Sequence, residues 1–393
     1  MGGPAVSGPG IDYAQLRRWP DVEAENLFAH DAGDPLLLET ALAAGLPAGR
    51  EIVVVNDHYG ALTLGLAAHG ATGLRVHQDA LSGERAIDAN AARLGPELGL
   101  DLSGAYRHLP LGPELFEGAT LVLLQLPRSL DALDEIAWHA ARWADPRVRL
   151  LAVGRVKHMG LAMNEVLGRS FATVTAGLAR QKSRVLAASL PRGSAPDGSE
   201  LPPARFPLRA HHSVAGTSLE LRAFGATFGG PKLDPGTRFL LEHLDGLPAA
   251  GEAVDLGCGN GTIAAFVALA RPGLRVLACD QSASAVASTA ATAAANGVAD
   301  RVTAVRDDAL SALADGSKDL VLLNPPFHMG NTVHAGIALK LFADAGRVLA
   351  PGGELWCVWN SHLRYRPQLA RLVGSTRQVA RNAKFTVTVS TKP

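Results

Sequence analysis

The fold of the C-terminal half of this chain is indicated most clearly by the stretch Glu252-Ala-Val-Asp-Leu-Gly-Cys-Gly-Asn-Gly261. The first five residues of this stretch have the pattern of a short buried strand, and an apolar helix through Phe266 to Ala270 follows its three glycines. Glycines let a backbone approach a ligand closely, and a helix N-terminus favours negative charge. The stretch therefore predicts a strand, a ligand loop and a helix of an α/β sheet.

Strands and helices alternate on the C-terminal side of this loop. The sequence predicts strands at residues 275–279, 302–305, 320–323 and 354–359, and helices at 284–296 and 334–349. Residues 385–390 alternate as an antiparallel edge hairpin does. This alternation of strand and helix is typical of a mostly parallel sheet covered by helices.

The N-terminal half repeats the same plan. Residues 51–60 match the strand and loop at 252–261, and residues 120–127 match residues 319–326. Several coincidences at an offset of about 200 residues indicate a duplicated domain. We expect the first copy to have lost the ligand and the chemistry, because its residues differ from those of the second copy at the loop and after the fourth strand.

The composition limits the classes of protein that the chain can represent. It has 393 residues, of which 47% are apolar, enough for the cores of two domains. It has no apolar run of about 18 residues and no signal-peptide pattern, so no membrane span is expected. Its three cysteines have neither disulfide nor zinc spacing, which favours a cytoplasmic protein without a metal.

The net charge is zero but is unevenly distributed. Residues 1–141 carry −11, residues 142–210 carry +8, residues 211–350 carry −3 and residues 351–393 carry +6. Binding of phosphate groups needs local positive potential rather than a positive sum. A nucleic-acid partner is therefore compatible with this sequence.

Two acidic residues indicate the class of ligand. Asp255 lies on the strand before the loop, where a carboxylate suits an ammonium group and repels a pyrophosphate. The loop glycines, Gly257, Gly259 and Gly261, are spaced differently from a dinucleotide fingerprint. Asp280 ends the second strand, where it can accept hydrogen bonds from two ribose hydroxyls; the alternative role for it is a helix N-cap.

The segment Leu323-Asn-Pro-Pro-Phe-His328 follows the fourth strand. Pro325 and Pro326 restrict the backbone and hold the carbonyl of Pro325 outward. That carbonyl and the side-chain oxygen of Asn324 can accept both hydrogens of a planar exocyclic amino group, while Phe327 stacks on the attached ring. The alternative interpretation is a proline-rich turn with only a structural role, but the neighbouring residues favour a site that binds an amino group.

These residues resemble the class I S-adenosylmethionine methyltransferases that modify amino groups. The resemblance implies that residues 255–261, Asp280 and Asn324 contact S-adenosylmethionine, with Asp308 on its adenine side. It also implies that residues 324–327 form the catalytic motif.

Other segments resemble the bacterial ribosomal RNA guanine-N2 methyltransferases, a family with a degenerate first copy of the domain. Residues 228–239 carry this resemblance. Segments that favour the large-subunit branch are Pro127-Arg-Ser-Leu130, Gly154-Arg-Val-Lys-His158, Asn360-Ser-His-Leu363 and Asn382-Ala-Lys-Phe385. The implied activity is methylation of the N2 amino group of a guanine in 23S ribosomal RNA by a cytoplasmic monomer.

The resemblance also implies an organisation into domains. We expect a degenerate methyltransferase-like domain over residues 1–190, a linker rich in Pro, Gly and Ser over 191–204, and a catalytic domain over 205–393. Both domains are expected to be Rossmann-like, and the first to position RNA. The candidate RNA contacts are Arg180, Lys182, Arg184, Arg364, Arg381 and Lys384.

Three other functions compete with this hypothesis. The small-subunit branch of the family would methylate 16S ribosomal RNA. A protein glutamine methyltransferase would usually have Tyr in place of Phe327 and would lack the duplication. A non-catalytic RNA-binding protein would not need the intact loop and motif. His328 is either a proton acceptor or a loop residue.

Overall fold

The computed structural model describes residues 10–326 and 333–393, and of residues 333–335 the backbone alone. It divides into two compact units, Met1–Arg205 and Phe206–Pro393. Each unit contains a seven-stranded sheet with helices on both faces. No helix within the described ranges is long and apolar enough to cross a membrane.

The first unit alternates strands and helices before it ends in a hairpin. Its strands are β1 (Ile52–Val55), β2 (Leu74–His77), β3 (Tyr106–His108), β4 (Leu121–Gln125), β5 (Arg149–Arg155), β6 (Phe171–Ala176) and β7 (Ser183–Pro191). Its helices are α1 (Gly33–Ala43), α2 (Ala61–Ala68), α3 (Leu81–Leu98), α4 (Pro113–Phe116), α5 (Leu130–Trp143) and α6 (Leu161–Ser170).

The second unit begins with a separate hairpin, β8 (Leu208–Val214) and β9 (Thr217–Ala223). The strands of its main sheet are β10 (Ala250–Leu256), β11 (Gly273–Asp280), β12 (Val302–Arg306), β13 (Lys318–Leu323), β14 (Leu349–Asn360), β15 (Ser375–Arg381) and β16 (Phe385–Thr391). Its helices are α7 (Pro235–Leu241), α8 (Thr262–Ala270), α9 (Ala283–Ala295), α10 (Val333–Val348) and α11 (Arg366–Leu372).

The two sheets have the same strand order, which confirms the duplication expected from the sequence. The first runs β3-β2-β1-β4-β5-β7-β6 and the second β12-β11-β10-β13-β14-β16-β15. The first five strands of each order are parallel, and the last two form an antiparallel hairpin at one edge. The predicted fold class, with an edge hairpin in the second unit, is therefore confirmed.

Two details of the strands differ from the sequence-based expectations. The strand predicted at residues 354–359 starts earlier, at Leu349, because β14 continues through a glycine turn with an irregular register. In the edge hairpin, β16 is the inner strand, and the outer strand is β15, a segment for which no strand was predicted. The segment expected to be a linker, residues 191–204, contacts the first unit: the indole of Trp138 donates a hydrogen bond to the carbonyl of Pro202, and Leu201 packs on the core.

Candidate active site of the second unit

The predicted site residues converge at one edge of the second sheet. Strand β10 lies between β11 and β13, and all three are parallel, so their carboxyl ends meet at the same edge. The glycine loop follows β10, Asp280 ends β11, and Asn324 directly follows β13. Sequence positions about 70 residues apart are thereby brought together.

The three glycines of the loop are explained by different physical causes. All are in the left-handed region, with φ of 75° at Gly257, 54° at Gly259 and 77° at Gly261. A Cβ on Gly261 would lie 2.8 Å from the Cα of Thr289 in α9, so packing of helix on helix requires this glycine. A Cβ on either of the other two would meet no described atom within 4 Å. The loop therefore presents open space that a ligand can fill.

Asp255 lies behind the loop rather than on its surface. Its side chain is fully buried, and one carboxylate oxygen accepts a hydrogen bond from the backbone N–H of Ala264 in the first turn of α8, at 3.0 Å. The other oxygen, Oδ1, has no hydrogen-bond partner in the described part of the chain. Burial, together with the charge of the nearby Asp280, raises the pKa of this carboxyl to about 7. The free oxygen can serve a bound cationic group.

Asp280 supports the loop and the next helix together. Its Oδ2 accepts a hydrogen bond from the backbone N–H of Gly259 at 3.1 Å, and its Oδ1 accepts one from Ser282 at 3.0 Å. Side-chain capping of α9 comes from Ser282 itself. Asp280 thus lies at the end of β11 against the glycine loop, and the N-cap of α9 is Ser282.

Asp308 lies after β12, at the same edge of the sheet. It forms an ion pair with Lys340 of α10, with 2.5 Å between the Nζ and Oδ1 atoms. The next residue, Ala309, is buried with φ of 58°. The position is compatible with the contact on the adenine side that the resemblance implies.

Asn324 is held in one orientation by α7. Its Nδ2 donates hydrogen bonds to Oδ1 of Asp234 at 2.9 Å and to Oγ1 of Thr237 at 2.8 Å. A carboxylate can only accept, so the nitrogen faces Asp234 and the oxygen faces away. That oxygen is buried and has no hydrogen-bond partner among the described residues. The site thus contains a fixed, unused acceptor where the sequence predicts one.

The rest of the predicted motif is only partly described. Pro325 is buried and Pro326 is exposed. Phe327 and His328 lie outside the described residues.

Sequence reasoning missed the residues that support the site. Asp234 caps α7 by accepting a hydrogen bond from the N–H of Thr237, and it also holds Asn324. Asn260 anchors the loop by donating to the carbonyls of Gly230 and Lys232. The signal was present, because all of these residues except Asn260 lie in the segment that carries the family resemblance.

The first unit keeps the loop backbone without its glycines. Asn56 and His58 have φ of 61° and 58°, close to the values at the two open glycines of the second unit. Asp57, at the position of Cys258, caps the start of α2: its carboxylate accepts hydrogen bonds from the N–H groups of Leu62 and Thr63 at 2.9 and 2.7 Å. Its buried carboxyl has its pKa raised to about 6. The loop of the first unit therefore contains side chains where the second unit has open space.

The candidate RNA contacts lie mostly on the edge hairpins. Arg180 and Lys182 are exposed in the turn between β6 and β7, whereas Arg184 on β7 is half-buried. Arg381 and Lys384 are exposed around the turn between β15 and β16, and Arg364 is exposed in the connection after β14. In both units a lysine of the hairpin turn accepts a backbone hydrogen bond from the segment after the fifth strand, at Lys182 and at Lys384.

Among the described residues, no group of three or more His, Cys, Asp or Glu side chains is placed to hold a metal ion.

Two family models match the chain. The "RLMG N-terminal domain" matches residues 10–192, and the "Methyltransferase small domain" matches residues 218–389. A ribosomal RNA large subunit methyltransferase G of Pseudomonas paraeruginosa is 36% identical over 378 residues, which are 95% of this chain and 97% of the relative. The protein of the same name from Streptomyces avermitilis is 34% identical over 97% of each chain.

One solved structure is similar over both units. It is a 16S rRNA N2 methyltransferase of T. thermophilus, in complex with AdoMet and guanosine. Its TM-score is 0.72 at 22% identity, and the match covers 93% of this chain and 92% of the other. At this identity the similarity shows the tandem fold.

Proposed function

Because the chain belongs to the ribosomal RNA large subunit methyltransferase G family, we propose that its second unit transfers the methyl group of S-adenosylmethionine to the N2 amino group of a guanine in 23S ribosomal RNA. The observation that carries this proposal is the amide of Asn324. Its nitrogen is fixed by two acceptors, and its buried oxygen is free to accept a hydrogen bond from an exocyclic amino group.

The residues around the glycine loop fit S-adenosylmethionine, which supplies an electrophilic methyl group on a sulfonium. Gly257 and Gly259 leave space for the ligand against the backbone. The free oxygen of Asp255 and the overall negative charge behind the loop suit the ammonium group of the methionine part. Asp280 would bind the ribose hydroxyls, and Asp308 the adenine side.

With an activated methyl group, the main task of the protein is alignment. The oxygen of Asn324 and the carbonyl of Pro325 would hold the two hydrogens of the guanine N2 group, which favours a pyramidal nitrogen whose lone pair faces the donor. Phe327 would stack on the base, with Pro326 fixing the chain between them. The base has to leave any helix to reach this site, which requires flipping or an unpaired target.

The first unit would position the RNA. Its loop has Asn56 and His58 in place of two glycines, and its exposed basic hairpin turn offers charge for phosphate groups. Together with Arg364, Arg381 and Lys384 of the second unit, Arg180, Lys182 and Arg184 are the proposed RNA contacts. We place the protein in the cytoplasm, with the ribosomal RNA that it modifies.

The test is methylation of purified, unmodified large and small ribosomal subunits and of their naked RNAs with labelled S-adenosylmethionine, followed by mapping of the modified base. We expect label at N2 of one guanine in 23S RNA. The variant Asn324→Ala should lose transfer by at least about 100-fold while it still binds S-adenosylmethionine in calorimetry. Label in 16S RNA would identify the small-subunit activity instead, and a wild-type protein without affinity for S-adenosylmethionine would refute the enzyme.

A further inference from the structure

We propose that Asn360 is a second residue that reads the target base: its side-chain oxygen accepts a hydrogen bond from the ring N1–H of the guanine whose amino group is held at Asn324. This inference rests on the proposed function of the same site. It assigns the choice of guanine to a pair of amide oxygens on neighbouring strands.

The pleat of the sheet places the two amides on one face. Strands β13 and β14 are parallel neighbours, with Leu323 beside Cys357. Leu322 and Val358 lie in the core on one face of the sheet, while Leu323 and Cys357 lie in the core on the other. Side chains alternate along a strand, so Asn324 and Asn360, each two residues further on, fall on the face of Leu322 and Val358.

The same face is covered by the start of α7. Asn360 pairs with Phe385 across β14 and β16, so their side chains share a face. A Cβ placed on Gly236 in the first turn of α7 would lie 3.3 Å from the ring of Phe385 and 3.1 Å from Oδ1 of Asp234. Asp234 in turn binds Asn324. The two amides therefore flank the N-terminal turn of one helix.

Asn360 has an unused acceptor, as Asn324 does. The side chain of Asn360 is 6% exposed, and its Oδ1 has no hydrogen-bond partner in the described ranges. Buried polar atoms are rarely left without a partner, and such an atom at a functional edge calls for a donor from a ligand. The side-chain oxygens of Asn324 and Asn360 are therefore two acceptors available to two donors of a ligand.

The first unit shows that these positions meet in space. Its sequence Asp31-Ala-Gly-Asp34 corresponds to Asp234-Pro-Gly-Thr237, six residues before the same Leu-Leu-Glu. There Asp34 accepts a hydrogen bond from the amide of Gln125, the counterpart of Asn324. Asp31 lies 3.9 Å from the guanidinium of Arg155, the counterpart of Asn360 at the end of the fifth strand. A guanidinium cannot accept a hydrogen bond, so this exchange removes the acceptor from the copy that lacks the chemistry.

Two neighbouring acceptors match guanine in particular. Guanine presents adjacent donors, the ring N1–H and the exocyclic N2 group, on its Watson–Crick edge. In 2,6-diaminopurine the amino group at C2 remains, but N1 has a lone pair that would face the oxygen of Asn360. A site built to hydrogen-bond a donor strongly rejects an analogue that lacks it.

The test compares Asn360→Leu, Asn360→Asp and the wild-type protein on unmodified 23S ribosomal RNA. The leucine has similar volume and removes the acceptor, so we expect kcat/KM for RNA to fall by at least about 10-fold. The thermal midpoint should stay unchanged or rise, because an unsatisfied buried oxygen is lost, and affinity for S-adenosylmethionine should stay unchanged. The aspartate keeps an acceptor and should retain most of the activity.

A second measurement reads base choice directly. The 23S RNA is ligated to carry guanosine or 2,6-diaminopurine riboside at the mapped nucleotide, and the ratio of the two rates is compared between proteins. The leucine variant should lower this ratio by about 10-fold or more. Methylation by the wild-type protein tests the proposed function alone. An unchanged ratio in the leucine variant, or lost activity with a lowered thermal midpoint in both variants, would overturn the role of Asn360.

Discussion

At the scale of single residues, the site depends on the orientation of one amide. Asn324 could turn its nitrogen or its oxygen toward a substrate, and a nitrogen there could not accept the hydrogens of an amino group. Asp234 and Thr237 decide this orientation, because both accept from the same nitrogen. They are positioning residues: neither needs to touch the substrate to determine which atom of Asn324 faces it.

A change at Thr237 tests this positioning. Replacing it with valine removes one acceptor at similar volume, so the amide of Asn324 should be less strongly oriented. We expect kcat to fall about 3- to 10-fold, the effect of one hydrogen bond. The affinity for S-adenosylmethionine, measured by calorimetry, should not change.

The matched control is Thr237→Ser, which keeps the hydroxyl and should keep the wild-type kcat. If the valine and serine variants have the same kcat, the hydroxyl does not orient the amide.

The positioning residues also show which parts of the site could be predicted from the sequence and which could not. Asn324 and the glycines could be predicted because their spacing within one short segment has a chemical meaning. The partner of an amide 90 residues away cannot be inferred from spacing, since it depends on where α7 packs. Asn360 was visible as part of a family segment, but its unsatisfied oxygen is a property of the folded chain.

At the scale of elements, the loops of the two units have one backbone form but different contents. Left-handed residues occur at the same three places in each, and glycine is kept in both at the third place alone, at Gly60 and Gly261. In the second unit that glycine is required by α9. The first two glycines of the second unit are therefore not required by its described packing, and a ligand explains them.

Exchange of residues between the loops tests whether a glycine is required by the packing of the helices or by the ligand. The double variant Gly257→Asn, Gly259→His copies the first unit, where these residue types adopt the same φ. We expect its thermal midpoint to fall by no more than about 5 °C, because Asn and His tolerate this conformation better than most residues. Affinity for S-adenosylmethionine should fall by at least about 10-fold, because the side chains enter the open space.

The control is Gly261→Ala, whose Cβ would clash with the backbone of Thr289. Calorimetry and thermal unfolding are measured on both variants. We expect the control to have the lower thermal midpoint. Wild-type affinity in the double variant would show that the open space is not the ligand site.

At the scale of the whole molecule, positive charge is concentrated in two segments, one in each unit. Net charge summed over the chain is zero, yet the basic stretches 142–210 and 351–393 each end in or contain an edge hairpin. The duplication and the strand alternation could be predicted because repeated spacing survives divergence. The hairpin β8–β9 and the contacts of residues 191–204 could not be predicted, because the local sequence does not indicate which residues they pack on.

Charge reversal of the hairpin β6–β7 tests whether the first unit contacts the RNA. The variant Arg180→Glu, Lys182→Glu should lower affinity for 23S ribosomal RNA by about 10-fold or more at physiological salt and reduce the salt dependence of binding. Affinity for S-adenosylmethionine should not change. Arg184 is left intact because it is half-buried.

The matched control is Arg50→Glu, Arg147→Glu, which makes the same change of charge at two exposed residues before β1 and β5. These residues lie at the amino ends of the parallel strands, whereas the hairpin turn lies at their carboxyl ends. This variant should bind RNA nearly as the wild type does. Equal losses in the two variants would mean that net charge matters and the hairpin does not.

The identical strand order of the two units has a consequence for biosynthesis. A chain that repeats its own topology can exchange equivalent strands while it folds, a characteristic route to misassembly in tandem proteins. Here the exchange is penalised: β1 in the place of β10 would bring Val54 to the position of Asp255 and leave the N–H of Ala264 without its carboxylate. The divergence of the first copy at this position thus also disfavours pairing of the nascent chain with the wrong half of itself.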